Sequence, residues 1–325
     1  MSQKQIASTY IDLLNERYGG QAIACNDDFF AEMGNLVKST EPVFIDDKYT
    51  DRGKWMDGWE SRRRRSEGYD WCVLRLGIAG IIKSVDVNTT FFTGNAPKSV
   101  AIEACNCQQD PDESTIWHSL LELSDVDADS HNFFSVENDV SWTHLRLKIY
   151  PDGGIARLRV YGECQINRKN LLPNELVDLA ASVNGGRAIA CSDMFYSPMN
   201  NLLAPSRALN MGDGWETKRR RGEGYDWVII KLACPGRIAR VIVDTAHFKG
   251  NYPDTFTLES ISSEQEDPSD EKDWSLLLSK TKLLSSREHV FQNELLIHKQ
   301  IFTHVRLNIF PDGGVSRLRV WGYPA

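Results

Sequence analysis

The sequence predicts an all-β protein made of two tandem jelly-roll β-sandwich domains, each preceded by a short helix. Three observations predict this. One unit is written twice along the 325 residues, each unit is dominated by short runs of alternating polar and apolar residues, and helical spacing is confined to one segment at the start of each unit.

The duplication is read from three strings. GGQAIAC (19–25) returns as GGRAIAC (185–191), and NTTFFTGNAPKSVAIEA (88–104) as DTAHFKGNYPDTFTLES (244–260). THLRLKIYPDGGIARLRVYG (143–162) returns as THVRLNIFPDGGVSRLRVWG (303–322). The order is kept at a spacing of about 160 residues, which is too long for a solenoid repeat and marks a duplicated domain. The expected division is 1–164 and 165–325, with a polar linker over 163–172. About ten additional residues around IDDKYTDRGK (45–54) read as a surface-loop insertion in the first copy.

Within a unit, STYIDLLNERY (8–18) and PNELVDLAASV (173–183) carry the helical spacing, the second with Pro173 near a helix start. WCVLRLGIAG, IIKSVDVNTTFF and SVAIEAC read as short strands separated by Gly, Pro and Asn. In THLRLKIY, Leu145, Leu147 and Ile149 alternate with His144, Arg146 and Lys148, giving one buried face, and RLRVYG alternates through Leu158 and Val160. The intervening PDGG supplies the positive φ angles of a tight connection.

Composition excludes several classes. At 41% hydrophobic and 25% charged the chain is globular, no apolar run approaches the roughly 20 residues of a membrane span, and the first residues lack a signal peptide's apolar region. A net charge of −8 argues against a general nucleic-acid or anionic-membrane binder and leaves the Arg runs as local exceptions. Seven cysteines without a framework spacing imply reduced thiols and a cytoplasmic location, and the closing Tyr-Pro-Ala is no peroxisomal signal. Cys105 and Cys107 form a C-x-C, but the second copy reads Ser-Ile-Ser around Ile261, which disfavours a metal or redox pair.

The chemistry is concentrated in DGWESRRRRSEGYDW (57–71) and its second writing, DGWETKRRRGEGYDW (213–227). A charge run is ordinarily a solvated loop, here with ion pairs to Glu60, Glu67 and Asp70. Against that, Arg63, Arg64 and Arg65 align with Arg219, Arg220 and Arg221 while Ser61/Thr217 and Ser66/Gly222 differ. Arginine is the side chain that takes a carboxylate bidentately. The aligned acids Asp57/Asp213, Glu60/Glu216 and Asp70/Asp226 could accept N–H donors or move protons, whereas Asp152/Asp312 are explained by their turns. Trp59, Trp215, Tyr69 and Tyr225 either wall a polar pocket or pack the loop. His144 and His304 share one strand position, two residues before an arginine, and read either as general acids or as half-buried strand histidines. His247 is unmatched, its counterpart being Phe91, and is a candidate if one half alone catalyses. No zinc, nucleophile-elbow or phosphate-loop motif occurs, and GNAPKS and GNYPDT read as turns.

Together the doubled DGWE-basic-GYDW strings, FFTGNAPKS with HFKGNYPDT, and the two THxRLxIxPDGGxxRLRVxG endings resemble the allantoicase family over both halves. The resemblance implies two jelly-roll repeats similar to galactose-binding and discoidin-type domains. It implies a hydrolase of C–N bonds in linear amidines, converting allantoate to (S)-ureidoglycolate and urea in purine and allantoin catabolism. On that reading Arg63–Arg65 or Arg219–Arg221 hold the substrate carboxylate, and Asp57, Glu60, Asp70 or Asp213, Glu216, Asp226 bind ureido groups or move protons, with His144, His304 or His247 as acid. No cofactor is expected; a divalent metal held by scattered acids and histidines, and a homo-oligomer, are left open. The alternative is a non-catalytic tandem jelly-roll module for a carbohydrate or small anion, which the density of interleaved acids and bases disfavours.

Overall fold

The computed structural model describes residues 10–164 and 171–325. Contacts divide the chain into two compact units meeting at residues 164 and 165. In the first unit an antiparallel sheet runs in the order Ile11–Asp12, Arg157–Glu163, Asp70–Asn88, Ser141–Tyr150, Ser99–Cys105, His118–Asp125. Gln21–Cys25 and His131–Ser135 also pair with Asp70–Asn88. The second unit repeats this order with Val177–Asp178, Arg317–Pro324, Asp226–Asp244, Phe302–Phe310, Thr255–Ile261 and Ser275–Lys282.

The strand Asp70–Asn88 organises its unit. Its first residues pair with Ser141–Tyr150 and Gln21–Cys25, and its last with Arg157–Glu163 and His131–Ser135, so one strand passes between the two layers of a sandwich. The sequence suggests two strands here, broken at the glycines, and the structure joins them. Gly77 lies where a Cβ would come within 2.6 Å of Gly20 N and Tyr18 O, so the missing side chain admits neighbouring backbone instead of ending the strand. Between the layers, Trp59, Leu74, Val85, Leu147 and Val160 form the core; Trp215, Ile230, Val241, Leu307 and Val320 do the same in the second unit.

The expected leading helices are not formed. Ile11–Asp12 adds to the sheet edge and only Glu16–Tyr18 turns, as a 3-10 helix; Val177–Asp178 and Ser182–Asn184 repeat this, residues 8 and 9 lying outside the described residues. Tertiary contact overrides helical spacing, because Leu13 and Leu14 are both fully buried and Asp12 Oδ1 accepts from the amides of Leu14 at 3.2 Å and Val160 at 2.9 Å. The insertion in the first copy is an exposed hairpin, Tyr49–Thr50 with Gly53–Lys54. Of the expected linker, residues 165–170 lie outside the described residues.

The PDGG turns are packed, not merely tight. Gly153 and Gly313 hold φ of +137° and +131°, and a Cβ on either would lie 2.7 or 2.5 Å from the carbonyl oxygen of Asn95 or Asn251. Gly153→Ala is therefore expected to destabilise the first unit by roughly 1–3 kcal/mol, combining a left-handed penalty with a backbone clash. Urea unfolding followed by tryptophan fluorescence measures this, and an unchanged midpoint would refute it.

Candidate functional site

The repeated string divides its residues between the interior and a surface cleft, and strand alternation decides which goes where. Asp57 points inward onto the fully buried Arg157, whose Nη2 donates to Asp57 Oδ2 at 2.7 Å. Arg157 Nη1 donates to the carbonyls of Asp57 at 2.8 Å and Ala156 at 2.7 Å, and Nε to that of Thr40 at 2.9 Å. Burial alone would raise the Asp57 carboxyl, but donors from Arg157, the Val43 amide and Lys38 hold it below its ordinary range. Asp213 and Arg317 repeat the pair at 3.0 Å. These aspartates, expected as substrate groups, are thus engaged by Arg157 and Arg317. Trp59 and Trp215 are likewise core residues, each Nε1 donating to a carbonyl, of Asp27 and Asp193, at 2.8 Å.

Glu60, the next residue on Trp59–Glu60, faces outward. Its Oε1 accepts from Asn95 Nδ2 at 2.7 Å, and Asn251 donates to Glu216 Oε1 in the same way. Burial raises the Glu60 carboxyl above its ordinary value of 4.5, opposed by Asn95 and by the charge of Arg63.

The arginines are individually placed. Arg62 pairs with Asp27 at 2.6 Å, and Arg63 reaches Asp152 at 3.3 Å and the Gly94 carbonyl at 3.0 Å. The Arg64 amide donates to Asp152 Oδ2 at 2.8 Å, while its guanidinium meets the buried Asp70 at 2.6 Å. In the second unit the Arg220 amide donates to Asp312 at 2.8 Å and its guanidinium pairs with the buried Asp226. Asp70 is also held by Asn26 at 2.7 Å and Asp226 by Ser192 at 2.9 Å. Arg65, Arg219 and Arg221 are exposed.

Two adjoining clefts result in the second unit. One of about 460 Å³ is lined by Ser192, Asp193, Lys218–Gly222 and Asp226. The other, about 590 Å³, includes Glu216, Asn251, Tyr252, Asp254 and Asp312, and Arg219 and Arg220 line both. A cationic wall thus adjoins a floor of acceptors. The first unit assembles the counterparts Glu60, Asn95, Arg63, Arg64, Asp70 and Asp152 through the contacts above, with Ala96 and Lys98 standing where Tyr252 and Asp254 stand. Tyr69 and Tyr225 sit beside this region, their rings tilted against Tyr150 and Phe310 at 5.1 and 4.9 Å.

The histidines lie elsewhere. His144 is five residues along Ser141–Tyr150 from Ile149, the register partner of Asp70, or about 17 Å away. His144 and His304 are buried, their Nδ1 atoms 2.9 and 2.8 Å from Thr143 and Thr303 Oγ1, and burial holds both below 6.5. His247 lies in a turn with φ +70°, its Nε2 2.9 Å from the Ala208 carbonyl, and lines neither cleft. Among the described residues no group of three or more His, Cys, Asp or Glu is placed to hold a metal ion. All seven cysteines are free thiols, and burial followed by Cys107 pushes Cys105 up to about 12.

Sequence reasoning did not single out Asn95 and Asn251, or the buried Arg157 and Arg317. Their one signal was recurrence at matching positions of a turn and of a strand start.

Tandem β-sandwiches, each with an arginine wall beside a carboxyl, define a protein suited to a small anion that also offers N–H donors. The Allantoicase repeat family model matches residues 11–165 and 177–325. The chain is 49% identical over 320 residues to a probable allantoicase of Pseudomonas aeruginosa strain UCBPP-PA14, covering 97% of this chain and 96% of that one. It is 45% identical over 322 residues to one of Acinetobacter baumannii strain ACICU, covering 98% and 95%. The Saccharomyces cerevisiae allantoicase crystal structure superposes with TM-score 0.79 at 35% identity, covering 99% of each chain. A second allantoicase structure gives 0.80 at 35% identity, over 96% of this chain and 93% of the other. The chain belongs to the allantoicase family.

The raised Glu60 carboxyl carries a stability consequence. Its protonated form is favoured by the fold, so its contribution is fully present below about pH 4.5 and is lost as pH rises through the folded value. Glu60→Gln is accordingly expected to raise the thermal midpoint at pH 7, with the gain vanishing near pH 4. A variant less stable than the parent at pH 7 would contradict this.

Proposed function

We propose that the protein hydrolyses allantoate to ureidoglycolate and urea, with the Glu60 or Glu216 carboxyl moving the proton and the neighbouring arginines holding the substrate carboxylate. Allantoate is one carbon bearing a carboxylate, a hydrogen and two ureido groups. The juxtaposition that carries the reading is a partly buried carboxyl next to an arginine pair, Glu216 with Arg219 and Arg220 lining one cleft. In the first unit the charge of Arg63 acts on Glu60 in the same way.

Protonated Glu donates to the ureido nitrogen that departs, so that the C–N bond breaks with its electron pair leaving on neutral urea. The nitrogen of the retained ureido group supplies the lone pair that forms C=N. Water then adds its oxygen to this carbon and returns a proton to the glutamate, giving the alcohol of ureidoglycolate; one water is consumed and no charge is left over. The guanidinium wall keeps the substrate carboxylate beside the electron-poor carbon. Asp152 and Asp312, occupied by the amides of Arg64 and Arg220, fix the loop that presents the arginines. Asp254 and Asp312 in the larger cleft are acceptors for ureido N–H groups. The matched charges disfavour a carbohydrate-binding module, which would hold its ligand unchanged. Among the described residues no helix is long and apolar enough to cross a membrane, and seven free thiols support a cytoplasmic reading.

Urea release from allantoate is the test. Glu60→Gln and Glu216→Gln, singly and together, are expected to cut kcat by about 10²–10⁴-fold in whichever repeat works. Arg220→Ala or Arg64→Ala is expected to raise KM by about 10–100-fold, the loss of a charged hydrogen bond. Full turnover in the double glutamate variant would sink the assignment.

A further inference from the structure

The turns that precede the strands Ser99–Cys105 and Thr255–Ile261 contain a side chain that the mechanism above leaves unused. Asn95 follows Gly94 and precedes Ala96 and Pro97; Asn251 follows Gly250 and precedes Tyr252 and Pro253. Both are fixed at main-chain level, their carbonyls accepting from the amides of Gly154 at 2.7 Å and Gly314 at 2.8 Å. Gly153 and Gly313 lack the Cβ that would block this approach. With the backbone held, each amide side chain reaches the outward-facing glutamate, at 2.7 Å for Asn95 Nδ2 to Glu60 Oε1. The preceding Gly94 carbonyl accepts from Arg63 Nη2 at 3.0 Å, so one turn touches both the carboxyl and the anion-holding wall.

We propose that Asn95 and Asn251 are positioning residues, each tying one carboxyl oxygen of Glu60 or Glu216 to an amide N–H so that the other oxygen carries the mobile proton and faces the substrate. The inference rests on the reading of these glutamates as the proton-moving groups. An ionised carboxylate only accepts hydrogen bonds, so the amide must turn its N–H₂ toward it, and Oε1 is committed. Oε2 is then the oxygen at which the proton is delivered and recovered in both halves of the reaction. The same N–H favours the ionised form and limits how far burial raises the group, which is the direction seen at Glu60.

Replacement of the amide by an acid of the same shape separates positioning from packing. Asn95→Asp and Asn251→Asp leave the main-chain bonds to Gly154 and Gly314 intact but put a second carboxyl against the glutamate; Asn95→Ala and Asn251→Ala remove the donor. Urea release from allantoate is measured from pH 4 to 9 for each variant and for Glu60→Gln and Glu216→Gln, with thermal midpoints recorded alongside. In the repeat whose Gln variant abolishes turnover, the Asp variant is expected to move the basic limb of kcat/KM up by about one to two pH units, through like-charge repulsion. The Ala variant is expected to lose about 10–100-fold in kcat with a smaller change in KM. A merely structural asparagine would lower the midpoint and leave the limb in place, which overturns the proposal while the glutamate assignment stands. Wild-type turnover in the double Gln variant overturns the glutamate assignment and the positioning role with it.

Discussion

The buried guanidinium of Arg157, repeated at Arg317, is the interaction on which the local architecture depends. Burying a cation is costly unless its charge and its N–H groups are matched, and here four bonds do so, from Asp57 Oδ2 and the carbonyls of Asp57, Ala156 and Thr40. Those acceptors come from three separate stretches of chain. The pair therefore joins the strand Arg157–Glu163 to the start of the repeated string and to the loop before it. Leucine in place of Arg157 could fill the space but could not specify where Asp57 goes.

With Asp57 fixed, alternation along the string does the rest. Trp59 must enter the core, and its indole N–H finds the Asp27 carbonyl. Glu60 must then face outward, where the Asn95 turn meets it. The arginines continue onto the surface, but their backbone stays anchored, because the Arg64 amide is bound by Asp152 of the PDGG turn. One acid thus pairs with a buried arginine, one aromatic packs the core and one acid faces outward against the Asn95 turn. The string holds the fold and builds the cleft with different members of the same sequence.

The two repeats share this frame without being interchangeable. Arg63 covers Asp152, whereas Asp312 and Arg219 both open to the larger cleft of the second unit. Tyr252 and Asp254 stand where the first unit has Ala96 and Lys98. The substitutions lie on the turn beside the glutamate, so the identical scaffold presents a different set of acceptors in each half.

Duplication, strand alternation and the tight turns were legible in the sequence, because each depends on local periodicity and on residues close together in the chain. So was the concentration of matched charge at 57–71 and 213–227. The leading helices were misread, since Leu13 and Leu14 are captured by a core that a helical pattern does not reveal. Nothing in the string says that Arg157, a hundred residues on, meets Asp57 in the interior, or that Trp59 enters the core. His144 and His304 each lie on a strand that pairs with Asp70 or Asp226, yet about 17 Å along it. Asn95 looked like turn chemistry alone until the fold set Glu60 against it. What the sequence determined by itself was the repeat, the fold class and the family, all carried by local pattern. Which charged groups are spent inside and which are left facing a substrate was decided only in three dimensions, because desolvation and hydrogen-bond pairing act between residues that only the fold brings together.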